Sequence, residues 1–174
     1  LQKDSLSFEY IQKIQANGLT SQNLLSLDQY INNFPNGLFI AEVLNFKAEY
    51  FQQQKSWLLA AKTYEQLASK GVSKYQEKAL RQSGRIYFFE LKDFQSALRV
   101  FEQLSTIASK PEIVLESRRG EVRSFYNLKA WDDGKDAARK MLEMAGANND
   151  DMSFAYIILG YSYLKDKQFA SAIT

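Results

Sequence analysis

Tyr87-Phe88-Phe89-Glu90-Leu91-Lys92-Asp93-Phe94-Gln95-Ser96-Ala97-Leu98-Arg99-Val100-Phe101 carries a pattern of bulky and small side chains that returns through the chain at a nearly fixed interval. Counting 37 residues back from Phe94 reaches Trp57, 37 forward reaches Trp131, and 38 further reaches Phe169. Six residues before each of these stands another aromatic (Phe51, Phe88, Phe125, Tyr163), and three after each stands a very small residue (Ala60, Ala97, Gly134, Ala172). At seven come Tyr64, Phe101 and Ala138, and at ten Leu67, Leu104 and Met141. Size classes that keep phase in this way mark an internal repeat, and the repeat takes precedence over any local reading.

Composition sets the secondary structure of the unit. The 174 residues are 45% hydrophobic and 24% charged, a globular balance. Only two prolines and eight glycines interrupt them, whereas the good helix formers Leu, Ala, Lys, Gln and Glu are abundant. The expectation is an all-α chain. Its 22 basic and 20 acidic residues are interspersed, leaving a net charge of +2 without the one-sided excess that binds a phosphate backbone, so no nucleic-acid partner is expected. Cysteine and histidine are absent. That removes thiolate nucleophiles, disulfides, the usual zinc ligands and the commonest general base, and a non-catalytic role without cofactor or metal is expected. No run approaches the roughly 20 apolar residues that span a bilayer, and Leu1-Gln2-Lys3-Asp4 is not a signal peptide. A leucine at the first position points to a processed or excised piece.

Apolar periodicity and breakers place the helices. Leu6, Phe8, Tyr10, Ile11 and Ile14 form a first helix that stops at Asn17-Gly18; Thr20 or Ser21 caps a second, which carries Leu24, Leu27, Tyr30, Ile31 and Phe34 and is broken by Pro35. Ser56, Asp93 and Ser73 with Gln76 read as further caps, and Pro111 as the first residue of a helix. In the fourth unit the second helix is expected to follow from Trp131. Breaks are expected near 18, 35 to 37, 54 to 56, 70 to 73, 92, 109 to 111, 129 to 130, 146 to 150 and 166 to 167. The repeats then cover about 4–37, 38–72, 73–109, 110–148 and 149–174 of one domain. The last would be incomplete, so the native protein is expected to continue past Thr174.

An aromatic, a second aromatic six later, an alanine three after that and an aromatic four further on resembles the second half of the tetratricopeptide repeat. Ala48 and Gly160 match its small first-helix position, Ala60, Ala97 and Ala172 the small second-helix position, and Pro35 its usual end. Units three and four depart from the pattern. Arg85 and Val122 stand in the small first-helix position, with Gly84 and Gly120 one and two residues earlier. The resemblance implies a right-handed superhelix of antiparallel helical hairpins, about four and a half repeats long, with first helices lining a concave face. The strings Tyr30-Ile31-Asn32-Asn33-Phe34-Pro35-Asn36-Gly37 and Pro111 to Gly120 look like many-repeat proteins of bacterial cell envelopes, which would imply a periplasmic or outer-membrane-associated scaffold.

The repeated aromatics read as core, and Asp132-Asp133 and Asp150-Asp151 as helix caps. In the repeat frame the concave face carries Asn45 and Glu49, Gln82 and Ile86, Arg119 and Arg123, and Ile157 and Tyr161. Two readings stand for the arginines: a site for a carboxylate or phosphate, or ion pairs with Glu116 and Glu121. On the first, Asn45, Glu49, Gln82, Arg119, Arg123 and Tyr126 are candidate groove residues, receiving an acidic group on an extended peptide or protein segment. The expected role is a protein-interaction scaffold. An accessory domain of a larger enzyme or sensor, and a structural spacer, are the alternatives.

Overall fold

A computed structural model describes residues 2–16, 18, 20 and 23–165, and among these the regular structure is entirely helical. The helices are α1 (Gln2–Ala16), α2 (Leu24–Asn33), α3 (Ile40–Gln53), α4 (Trp57–Ser69), α5 (Ser73–Arg85), α6 (Phe94–Ile107), α7 (Pro111–Leu128), α8 (Lys135–Leu142) and α9 (Asn149–Lys165). Ile86–Leu91 prolong α5 as a π-helix. The expected breaks from 35 to 37 through 109 to 111 fall at interhelical turns, while those at 18, 129 to 130 and 146 to 150 fall within connections longer than expected, between α1 and α2, α7 and α8, and α8 and α9. The break at 166 to 167, with Phe169 and Ala172, lies outside the described residues, as do Asn17 and Ser21. No helix among the described residues is long and apolar enough to cross a membrane.

The chain divides into two compact units, Leu1–Ser83 and Gly84–Thr174, with the division inside α5. In the first unit Leu27, Val43, Leu44, Ala48, Ala60, Ala61 and Leu67 are completely buried. Phe8, Ile11 and Ile14 bury one face of α1, while Leu6 and Tyr10 are exposed, so the apolar stripe is narrower than its composition suggested. Asp4 ties this helix down. Its buried carboxylate accepts from the Tyr30 hydroxyl and from the Leu38 amide. Burial, and then Asp4, push the Tyr30 hydroxyl well above the ordinary tyrosine range.

In the second unit Leu98, Val122, Phe125, Ala137, Ala138, Met141, Ala155 and Ile158 form one core. The Phe101 ring lies against two glycines. A Cβ added to Gly120 would stand 2.3 Å from the ring, and one added to Gly84 would stand 3.0 Å from it. These two glycines therefore make room for the ring, while Ala48, in the first unit, is completely buried. The π-helical segment follows Gly84, whereas α7, which carries Gly120, is α-helical throughout. The Lys92 amide closes the segment by donating to the Tyr87 carbonyl.

Three further points depart from the sequence reading. The positions of Ala60, Ala97, Leu67, Leu104 and Met141 are completely buried, but Trp57, Phe94 and Trp131 are only half-buried. Of the expected caps, Asp93 accepts from the Ser96 amide at 3.0 Å, and the Ser96 side chain first, then this amide, lowers its pKa. Ser56 makes no side-chain cap, and Ser73 is already the first residue of its helix. The fourth unit's second helix starts at Lys135, four residues after Trp131. Asp132 caps nothing there. It accepts from Ser162 and from Lys165 at 2.6 Å, bonds that hold its carboxyl down at about 2. Turn bonds such as Gly134 amide to Ala130 carbonyl, 3.0 Å, carry the chain into α8.

Candidate interaction grooves

Asn45, Glu49 and Gln82 belong to the first unit. Asn45 is buried, and both it and Glu49 accept from Lys78 Nζ, at 2.9 and 2.6 Å. This cation was not singled out by the repeat frame; it joins α3 to α5 and occupies the two acceptors. Gln82 is half-buried on α5. Ile86, expected on the same face, is buried.

Arg119, Arg123 and Tyr126 stand on α7 in the second unit, whose first turn is formed by Pro111 at N1 with Glu112 beside the positive helix end. Arg119 Nε donates to Asp151 Oδ2 at 2.6 Å and Nη2 to the Gly146 carbonyl at 3.3 Å, and Arg123 Nη2 donates to Asp151 Oδ1 at 3.3 Å. The guanidinium of Arg123 also sits 5.4 Å over the Phe154 ring. The two arginines therefore share a face, as their spacing of four requires. The partner they share is Asp151. Glu121 is taken by Arg118, and burial raises its pKa, with the Arg118 charge opposing.

Asp151 has two roles. Its Oδ2 accepts from the Asn148 amide at 3.1 Å while its own amide donates to Asn148 Oδ1 at 2.9 Å, a reciprocal capping box at the start of α9. Its side chain is wholly buried, and two guanidinium groups compensate its charge. The cap is Asn148, and Asp151 completes it from the third helical position.

A groove of about 290 Å³ runs beside this cluster. Phe88, Phe89, Phe101 and Gly120 supply its apolar surface, while Arg85, Arg119, Arg123, Glu112 and Glu116 supply both signs of charge. Phe89, on the π-helical segment, remains 49% exposed although it packs edge-on against Phe88. The groove thus has an apolar centre and a charged margin. Further along α7 lies a second cleft, of about 430 Å³, lined by Tyr126, Asn127, Lys129, Trp131, Ile157 and Tyr161. Arg123, Phe154 and Tyr126 link the two. Phe154 stands under the guanidinium and meets the Tyr126 ring edge-on at 4.9 Å.

Compared with family profiles, with curated proteins and with solved structures, the chain matches none of them.

Proposed function

We propose that this chain is a tetratricopeptide-like module of stacked helical hairpins that holds a segment of another protein and performs no chemistry of its own. The observation that carries the reading is the groove along α7, where an exposed phenylalanine and a mixed-charge margin adjoin a pair of arginines already fixed in place by Asp151. A fixed guanidinium loses little rotamer freedom on binding, so its remaining donors are preorganised for a partner's carboxylate or backbone carbonyl. The recurrence of small, aromatic and left-handed positions at 37-residue spacing supports the hairpin repeat. In that arrangement first helices such as α7 and α9 line the concave face of a right-handed superhelix. A bacterial envelope setting is the reading of the separate resemblance carried by the strings Tyr30 to Gly37 and Pro111 to Gly120.

The test is selection of peptides from a random display library on the full chain, followed by titration of a selected peptide against wild type and Phe89→Asp. The double Arg119→Ala, Arg123→Ala variant suits this less well, since it strands the buried Asp151 without a counter-charge and so disturbs folding. Loss of binding in folded Phe89→Asp supports the reading. Failure to select any peptide, or full affinity in that variant, counts against it.

A further inference from the structure

The second cleft on α7 is built of rings that lock one another. Trp131 and Tyr161 stack with centroids 4.8 Å apart and planes within 17°, and Tyr126 stands edge-on to Trp131 at 6.0 Å and 68°. Tyr126 is braced from behind by Phe154. Tyr161 keeps 54% of its surface exposed and Ile157 keeps 36%, so an aromatic wall faces solvent among the described residues. The late start of α8 is what places Trp131 there, on a turn beside α9 instead of inside a helix.

Hydrogen-bonding capacity narrows the occupant. The lining offers the indole N–H of Trp131, the ammonium of Lys129 and the hydroxyls of Tyr126 and Tyr161, but no carboxylate. The Asn127 amide nitrogen is engaged by the Arg123 carbonyl at 2.7 Å. Such a lining presents two donors that cannot accept, the indole and the ammonium, with Asn127 Oδ1 and the two hydroxyl oxygens as its acceptors. A polyproline-type segment has that complement: its carbonyls project free, its prolines have no N–H to satisfy, and its flat rings lie on aromatic faces. Lys129 is exposed and unopposed by any acid in the lining, which favours an acidic residue in the segment and disfavours a basic one.

Resting on the reading of the chain as a protein-binding module, we infer that the Tyr126–Trp131–Tyr161 cleft is a docking site for an extended proline-containing segment bearing acidic residues. The full chain in a Trp57→Phe background leaves Trp131 as its single tryptophan, whose fluorescence reports occupancy. Titration with a peptide of repeated Pro-Pro-Asp units should be saturable. Replacing the prolines by alanine, or the aspartates by lysine, should each weaken binding at least tenfold, and these changes leave the protein untouched. In the protein, Tyr161→Ala should weaken binding about tenfold, the equivalent of about 1.4 kcal/mol. Lys129→Glu should reverse the preference between the acidic and basic peptides. Equal affinity for the proline and alanine peptides overturns the inference, and so does saturation by a neutral oligosaccharide with no response to the acidic peptide. A display-selected peptide that is lost on Phe89→Asp, beside a Pro-Pro-Asp peptide that never binds, overturns this site while leaving the interaction reading intact.

Discussion

Replacing Gly120 by alanine tests the packing on which the second unit rests, because two effects of opposite sign meet at that position. Gly120 lies inside α7, where alanine is favoured over glycine by about 1 kcal/mol on helix propensity alone. If the position were free, the substitution would stabilise the protein. The added Cβ, however, would stand 2.3 Å from Phe101 Cγ and Cδ2. Carbon atoms pack at about 3.5 to 4.0 Å, so the ring has to retreat by more than about 1 Å. It has no room to do so: Phe101 is 3% exposed, and a Cβ at Gly84 would already lie only 3.0 Å from its Cε1. Overpacking of this kind costs about 1 to 3 kcal/mol. With the clash at the upper end of that range and the propensity gain subtracted, the net loss is about 1 to 2 kcal/mol. Urea denaturation followed by circular dichroism, with slopes compared, measures it. Phe101→Ala removes Cγ and Cδ2 and with them the clash, so the double variant should be more stable than the sum of the single changes by about 1 kcal/mol or more. A Gly120→Ala variant that unfolds at higher urea than wild type would refute the reasoning.

Four other outcomes follow from the same structure. Ala97→Leu should destabilise by about 1 to 3 kcal/mol, since the side chain is completely buried, while exposed Lys92→Ala should change stability by no more than about 0.5, as compared in denaturation midpoints. Lys55, Lys92 and Lys129 all hold φ at 54°, so each Lys→Gly change should stabilise by up to about 1 kcal/mol, and thermal melts of single and combined variants should add. Asp151→Asn should cost about 2 kcal/mol in chemical denaturation, less than a fully buried pair would, because the two arginine side chains it leaves unpaired are about a third exposed. Glu121 binds its proton more tightly when folded, chiefly through burial, so its contribution favours the folded state at low pH and declines as pH rises above the ordinary glutamate range. Glu121→Gln should therefore gain stability relative to wild type as pH is raised from acid to neutral; a difference that does not vary with pH would contradict this.

Turn positions and the fully buried rows were legible because both derive from local chemistry repeated in phase. Pro35, Asp93 and Pro111 act within a few residues of themselves, and Ala60, Ala97, Leu104 and Met141 bury as their size and spacing require. The π-helical segment had no such signal: Gly84 and Gly120 both leave the repeat's small position, yet only α5 runs on into a π-helix. The left-handed turns did have a signal, lysines 37 residues apart at 55, 92 and 129. The partner of the arginines had none. Helical spacing offers acids three or four residues away, Glu116 and Glu121, whereas Asp151 stands 28 and 32 residues along the chain and reaches them only because α9 packs on α7. Trp131 read as core. Trp57 and Phe94, the first residues of α4 and α6, are half-buried too, so the exposure goes with the repeat position; the late start of α8 adds only that Trp131 stands on a turn, with Asp132 drawn to Ser162 and Lys165.

Amide hydrogen exchange on the full chain, with and without a display-selected peptide, tests the central claim most directly. Binding along α7 predicts that slowed exchange concentrates in residues 86–91 and 119–131, with α4 unaffected. Protection confined to α4 or to α1 and α2, with 86–131 exchanging as in the free protein, would contradict it.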